Sequence, residues 1–130
     1  MSFGLTKRVY NYVDTESVEV STPDGYMYVF INTFEGKLVS IVITIGKSGS
    51  NLAAWCYAIS QLMTSLIERG AVINDLIVLL SNITSDKSTY SGDRLVKSSI
   101  DGIVYALHKY NKFRGVHHSK IPNLRLPWVE

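Results

Sequence analysis

The segment Gly46 to Ile83 constrains the fold of this chain more than any other. It opens with Gly46-Lys47-Ser48-Gly49-Ser50-Asn51, directly after the run Leu38 to Ile45. In that run Val39, Ile41, Ile43 and Ile45 alternate, which predicts a strand. After the turn, Leu52, Trp55, Cys56, Ile59, Leu62, Met63, Leu66 and Ile67 recur at three- and four-residue spacing. That spacing predicts an amphipathic helix with one apolar face. Ser50 or Asn51 is its expected N-cap, and Glu68-Arg69-Gly70 supplies a terminal cation and a glycine stop. A second helix is expected over roughly Ile73 to Ser81, with Asp75 in its first turn and Leu76, Ile77 and Leu80 inward.

Ahead of this segment the chain reads as sheet. Lys7 to Val13 and Ser17 to Ser21 alternate, and Thr22-Pro23-Asp24-Gly25 is turn chemistry. Tyr26 to Thr33 is the next strand, and Phe34-Glu35-Gly36-Lys37 turns the chain into Leu38 to Ile45. A sheet built of hairpins is antiparallel. Met27, Val29 and Ile31 lie on one side of the hairpin and Tyr26, Tyr28 and Phe30 on the other. An outer face this rich in tyrosine calls for a cover, and a second copy of the chain is the expected one.

Beyond Ile83, Thr84 to Lys97 reads as an exposed polar loop. A third helix starts at Ser98 or Ser99, with Asp101 closing a variant capping box and Ile100, Ile103, Val104 and Leu107 as its buried stripe. Pro122 and Pro127 punctuate the end, yet Leu124, Leu126, Trp128 and Val129 are too apolar for a free tail. The expectation is an α+β fold. An N-terminal antiparallel sheet is covered on one face by two to three helices and followed by a basic C-terminal tail. The chain is read as a single domain, residues 1–130: mainly strands over 1–45, mainly helices over 50–110 and a docking tail over 111–130.

Composition excludes several classes. At 46% hydrophobic and 18% charged the chain is globular. No apolar run approaches ~18 residues, so no membrane span is expected. The N-terminus has no signal-peptide pattern, and Cys56 is the only cysteine, which fits a reducing, cytoplasmic setting. Net charge is +2, a thin footprint for nucleic-acid binding. The charge is uneven, however. Lys109, Lys112, Arg114, Lys120 and Arg125 crowd the end, where Glu130 is the only acid. That bias favours an anionic partner and equally describes a solvated tail.

Gly46-Lys47-Ser48 invites a phosphate-loop reading, which fails because the required first glycine would be Ile41. A small anion nest with Lys47 and a plain strand-to-helix turn both remain open. Lys97-Ser98-Ser99 places a cation and two hydroxyls at another helix start, with Arg94 three residues earlier. Ordinary capping accounts for part of that. Two such starts facing one cleft would make a phosphate site. Cys56 reads as a core thiol, and His117-His118 lack the companions of a zinc site. No nucleophile–base–orienter set is visible, so an enzyme is not expected.

Gly46-Lys47-Ser48-Gly49-Ser50, the helix to Arg69-Gly70, Leu80-Ser81-Asn82-Ile83 and Lys97-Ser98-Ser99-Ile100-Asp101-Gly102-Ile103 together resemble the TSCPD domain. That domain ends vitamin-B12-dependent ribonucleotide reductases and also occurs as small standalone proteins. The resemblance runs from about Phe34 to Tyr110. The namesake cysteine is Ser99 here and the proline is Ile100, so no metal or redox role carries over. Reductase activity is excluded, because it needs a radical-forming cysteine and a redox pair. More loosely, by length and helix-rich second half, the chain is similar to phage sponge proteins that sequester the cyclic ADP-ribose signal of Thoeris antiphage defence and in some cases cyclic oligonucleotides.

Those resemblances imply a non-enzymatic nucleotide-binding homo-oligomer, a dimer or higher, for example a hexamer, with no cofactor. Lys47, Ser48, Arg94, Lys97, Ser98 and Arg114 would meet a pyrophosphate, and Tyr28, Tyr90 or Phe113 would stack on the adenine. The alternative is an accessory or regulatory module that partners a ribonucleotide reductase.

Overall fold

A computed structural model describes residues 13–46 and 50–113. The expected strand over Lys7 to Val13, the Lys47-Ser48-Gly49 turn, His117-His118 and the tail from Arg114 lie outside these residues, save Val13. Three strands, β1 (Asp14–Thr22), β2 (Gly25–Phe34) and β3 (Lys37–Ile45), form an antiparallel meander in sequence order. Three helices follow: α1 (Asn51–Glu68), α2 (Ile73–Leu80) and α3 (Ser99–Phe113). The fold is α+β.

Side-chain alternation sets the register. Val20–Met27–Ile45, Val18–Val29–Ile43 and Glu16–Ile31–Ile41 form cross-strand rows on one face. Every apolar member of these rows except Val18 is buried. A one-residue slip would turn all of them to solvent. The first hairpin is closed by Thr22, whose hydroxyl donates to the Gly25 carbonyl (2.7 Å) and accepts from the Asp24 N–H (3.1 Å). The second turns at Glu35 (φ 52°) and Gly36 (φ 79°), the paired positive φ values of a twist-matched two-residue loop. A bulge beside Asn32 and Thr33 slips the β2–β3 register by one residue near this turn.

Helix α1 lies along β3 and fastens to its open edge. Its Ser60 hydroxyl accepts from the Ile43 N–H (2.9 Å) and donates to the Cys56 carbonyl (2.7 Å). Thr64 accepts from the Ile41 N–H (3.3 Å). Cys56, one turn earlier on the same stripe, lies beside Ile45. Positions 56, 60 and 64 climb about 6 Å per step, and alternate strand residues climb about 6.7 Å, so the two ladders stay in phase. The edge that would otherwise recruit another strand is thereby occupied.

The apolar stripe on α1 is narrower than its sequence. Cys56, Met63 and Ile67 are buried, but Trp55 and Leu62 are about two-thirds exposed. The other helices match their expected limits closely. Ser50 caps α1 through the Ala53 N–H (3.0 Å). In α2 the buried Asp75 accepts from the Val72 N–H (2.8 Å). Helix α3 rests on β1 and β2 through Gly102. A Cβ there would come within 3.0 Å of Met27 and Thr22.

Two expectations are corrected. Thr84 to Lys97 is not simply a loop: β4 (Thr89–Ser91) and β5 (Arg94–Val96) form a short hairpin against β1, with Val96 fully buried. The outer sheet face also has a polar end, where Thr15 donates to Asn32 (2.6 Å) and Asn32 donates to Ser40 (2.9 Å). Tyr26, Tyr28 and Val42 leave its other end open.

The edge lock is testable. Ser60→Ala leaves the buried Ile43 N–H unpaired, which costs about 1–3 kcal/mol. Urea unfolding should show that loss with an unchanged m-value. A loss below a few tenths would mean that the lock is not structural.

Candidate functional site

Two depressions flank α1. The larger, about 510 Å³, lies beside the β3 edge near Tyr57, Gln61 and Thr64, and among the described residues none that lines it is charged. The smaller, about 320 Å³, gathers more varied chemistry. Met27, Ile43 and Ile45 of the sheet form its floor. Leu52, Trp55 and Ile59 wall it from α1, and Ser98, Ser99 and Ile100 from the start of α3. Asp24 and Ser85 stand at its rim. An apolar cleft with a few convergent polar groups is the usual form of a small-molecule site, so the smaller depression is the candidate.

The first turns of α1 and α3 face this one cleft. Both helices run antiparallel to the strands they cover, α1 on β3 and α3 on β1, and β1 and β3 are themselves parallel. Both positive dipole ends therefore lie at the same end of the sheet.

The α3 start is tightly organised. The Ser98 hydroxyl accepts from the Asp101 N–H (2.9 Å) and donates to the Ile83 carbonyl (2.5 Å). Asp101 accepts from the Lys97 N–H (2.9 Å) and from Arg94 (2.9 Å). Arg94 also lies over the Tyr105 ring, 4.8 Å from its centroid. The Ser99 hydroxyl donates to Asp24 (2.5 Å). Two carboxylates thus already attend this helix start. A ligand group that donates hydrogen bonds, such as a ribose hydroxyl or an exocyclic amine, suits Asp24 better than a phosphate does.

The expected ligand residues do not converge within one protomer. Ser98 lines the cleft, but its hydroxyl is committed to the cap. Lys97, one residue earlier, is exposed, and Arg94 is paired with Asp101. Tyr28 lies on the opposite face of the sheet, stacked near Phe30 at 6.5 Å. Tyr90 is exposed on β4, and Phe113, 75% exposed, ends α3 far from its start. Lys47, Ser48 and Arg114 fall outside the described residues.

Sequence reasoning missed Trp55 and Asp24. Asp24 read only as a turn residue. Trp55 was counted into the buried stripe, although eight apolar residues on one 18-residue helix overfill a single face. That surplus was the available signal. Among the described residues no cluster of His, Cys, Asp and Glu could hold a metal, and no helix is long and apolar enough to cross a membrane.

Cys56 lies between the two depressions. Burial raises its pKa above the usual thiol range; the Ile45 N–H opposes the rise and the Asp24 charge adds to it. The neutral thiol is thus favoured in the folded chain, and this stability contribution is lost as pH climbs past the ordinary thiol pKa of about 8.5. At pH 8 a disulfide-exchange reagent should react with native Cys56 at least about tenfold more slowly than with the urea-unfolded chain. Equal rates would contradict the buried placement.

Comparison with known proteins adds a family. The family model for the TSCPD domain matches residues 6–111. It reaches back through all three strands of the sheet, well ahead of Phe34. No curated protein and no solved structure matches the chain.

Proposed function

The chain belongs to the TSCPD domain family, and from that premise we propose that it is a non-enzymatic nucleotide-binding protein that sequesters a cyclic ADP-ribose-type signal. The observation that carries this reading is the apolar cleft where two helix starts, Trp55 and Asp24 meet. A purine ring fits a flat, apolar cleft with an indole at its wall, and base–aromatic stacking contributes about 1–3 kcal/mol. Asp24 would accept from a ribose hydroxyl or an amino group. Exposed Lys97 would meet phosphates outside the cleft, with Lys47 and Ser48 as further candidates. Sequestration asks for binding alone.

The proposed protein works as a homo-oligomer in the cytoplasm. Tyr26, about two-thirds exposed, with Tyr28 and Val42 beside it, offers a face for a second copy. The family match supports a second reading as well. An accessory TSCPD module would use its exposed faces to partner a ribonucleotide reductase, and effector nucleotides would then bind only with that partner.

A release assay separates these readings. The purified protein is mixed with cyclic ADP-ribose isomers and cyclic oligonucleotides, freed of unbound ligand, heat-denatured and analysed by mass. Recovery of an intact nucleotide is expected. Trp55→Ala and Lys97→Ala should each weaken binding about tenfold or more without unfolding, as expected for loss of a stack or a charge-assisted contact. A cleaved product would mean an enzyme, and an empty supernatant would favour the reductase partner.

A further inference from the structure

The outer edge of β1 is open among the described residues. The Ser21 N–H points outward and donates to the Ser91 hydroxyl on β4 (3.0 Å). Backbone direction alternates along an antiparallel strand, so Thr15, Ser17 and Glu19 also present their N–H and C=O groups outward. The β4–β5 hairpin packs against β1 and meets this edge with a hydrogen bond at Ser21. Val18 packs against the core but is only partly covered. In contrast to β3, whose edge amides meet α1 side chains, no side chain of a described helix bonds to the N–H groups of Thr15, Ser17 or Glu19.

We propose that the chain's own C-terminal segment, Leu124 to Val129, adds to this edge as a further strand. Charge selects the occupant. Strand β1 carries Asp14, Glu16 and Glu19 and no basic residue, whereas residues 114–130 carry Arg114, Lys120 and Arg125 with Glu130 as the only acid. A second copy of β1 would set acids against acids. Residues 5–13 contain no Gly or Pro to reverse the chain tightly back onto β1.

Pattern selects the register. Leu124, Leu126 and Trp128 alternate with Arg125, Pro127 and Val129. When the first set directs its backbone groups at β1, Pro127 falls on the outward side, where its missing N–H interrupts no ladder. A chain leaving the end of α3 returns parallel to β1, and in a parallel pair this phase sets Leu124, Leu126 and Trp128 on the face of Val18 and Arg125 on the face of Glu19.

Geometry permits the reach. Helix α3 begins against Thr22 and Asp24 and runs back along β1. From Gly102 to Phe113 it advances about 16 Å, which carries its end roughly five residues back along the strand from Val20. The ten residues from Arg114 to Asn123 extend up to about 35 Å, ample to turn and reach the edge.

Amide hydrogen exchange on the full chain tests this. Ser17 and Glu19 should exchange at least about tenfold more slowly than exposed amides, independently of protein concentration. Leu126→Asp and Arg125→Glu should each accelerate them, with circular dichroism showing that the sheet and helices persist. Arg125→Glu, on the solvent side, keeps the test readable if Leu126→Asp unfolds. Free exchange in the unmodified chain would overturn the proposal. Protection unchanged in Arg125→Glu and in any folded Leu126→Asp chain would do the same, because the cover would then be residues 1–12 or another segment. Protection that fades on dilution would also overturn it, by assigning the edge to a second copy.

Discussion

The alignment of α1 on the edge of β3 is the constraint on which the rest depends. Two edge amides, from Ile41 and Ile43, bond to side chains at four-residue spacing, Thr64 and Ser60, and Cys56 lies one further step along the same stripe. A purely apolar helix would cover the sheet equally well and leave those amides to solvent or to another strand. The small polar groups in the stripe do two jobs. They satisfy backbone groups that apolar packing would strand, and they set the height of the helix along the strand to within a fraction of a turn. Once α1 is fixed in height, its first turn must lie at the Ile45 end of the sheet.

Helix α3 reaches the same end by a different device. Gly102 lets it approach Met27 and Thr22 closely, and Ser99 joins it to Thr22 and Asp24 of the first turn. Two parallel helices therefore start side by side over one end of an antiparallel sheet. Each start carries about half a positive charge. Asp24 and Asp101 offset this at α3, and Arg94 in turn offsets Asp101. The cleft between the starts is thereby left with mostly apolar walls, one carboxylate acceptor and an exposed indole.

The sheet, its faces and the ends of the helices were legible in the sequence because each rests on a local signal. Period-two alternation marked Met27, Val29 and Ile31, Ser50 marked the start of α1, and Asp101 marked the start of α3. What escaped depended on tertiary geometry. Ser60 and Thr64 carry no local signal of their role, because only the neighbouring strand edge gives them partners. Trp55 counted as core, because periodicity cannot tell the middle of a stripe from its margin. The β4–β5 hairpin was missed because three-residue strands carry too little alternation to register. The candidate site was legible as two helix starts, but not as one apolar cleft with Asp24 at its rim.

The make-up of the cleft bears on how sequestration would have to work. Nanomolar capture needs about 12 kcal/mol of binding free energy. Stacking on Trp55 supplies about 1–3 kcal/mol, and a single acceptor such as Asp24 adds a charge-assisted hydrogen bond of about 1.5–3 kcal/mol. One open cleft falls well short of that sum, because its ligand keeps one face in water. The remaining free energy would have to come from Lys97 on the phosphates and from closure that removes the exposed face from solvent. Phe113 and Tyr28 are too far from the cleft to close it within one protomer, but a neighbour could present either. Were the chain to sequester a nucleotide as proposed, a second copy would supply the closure that one open cleft lacks.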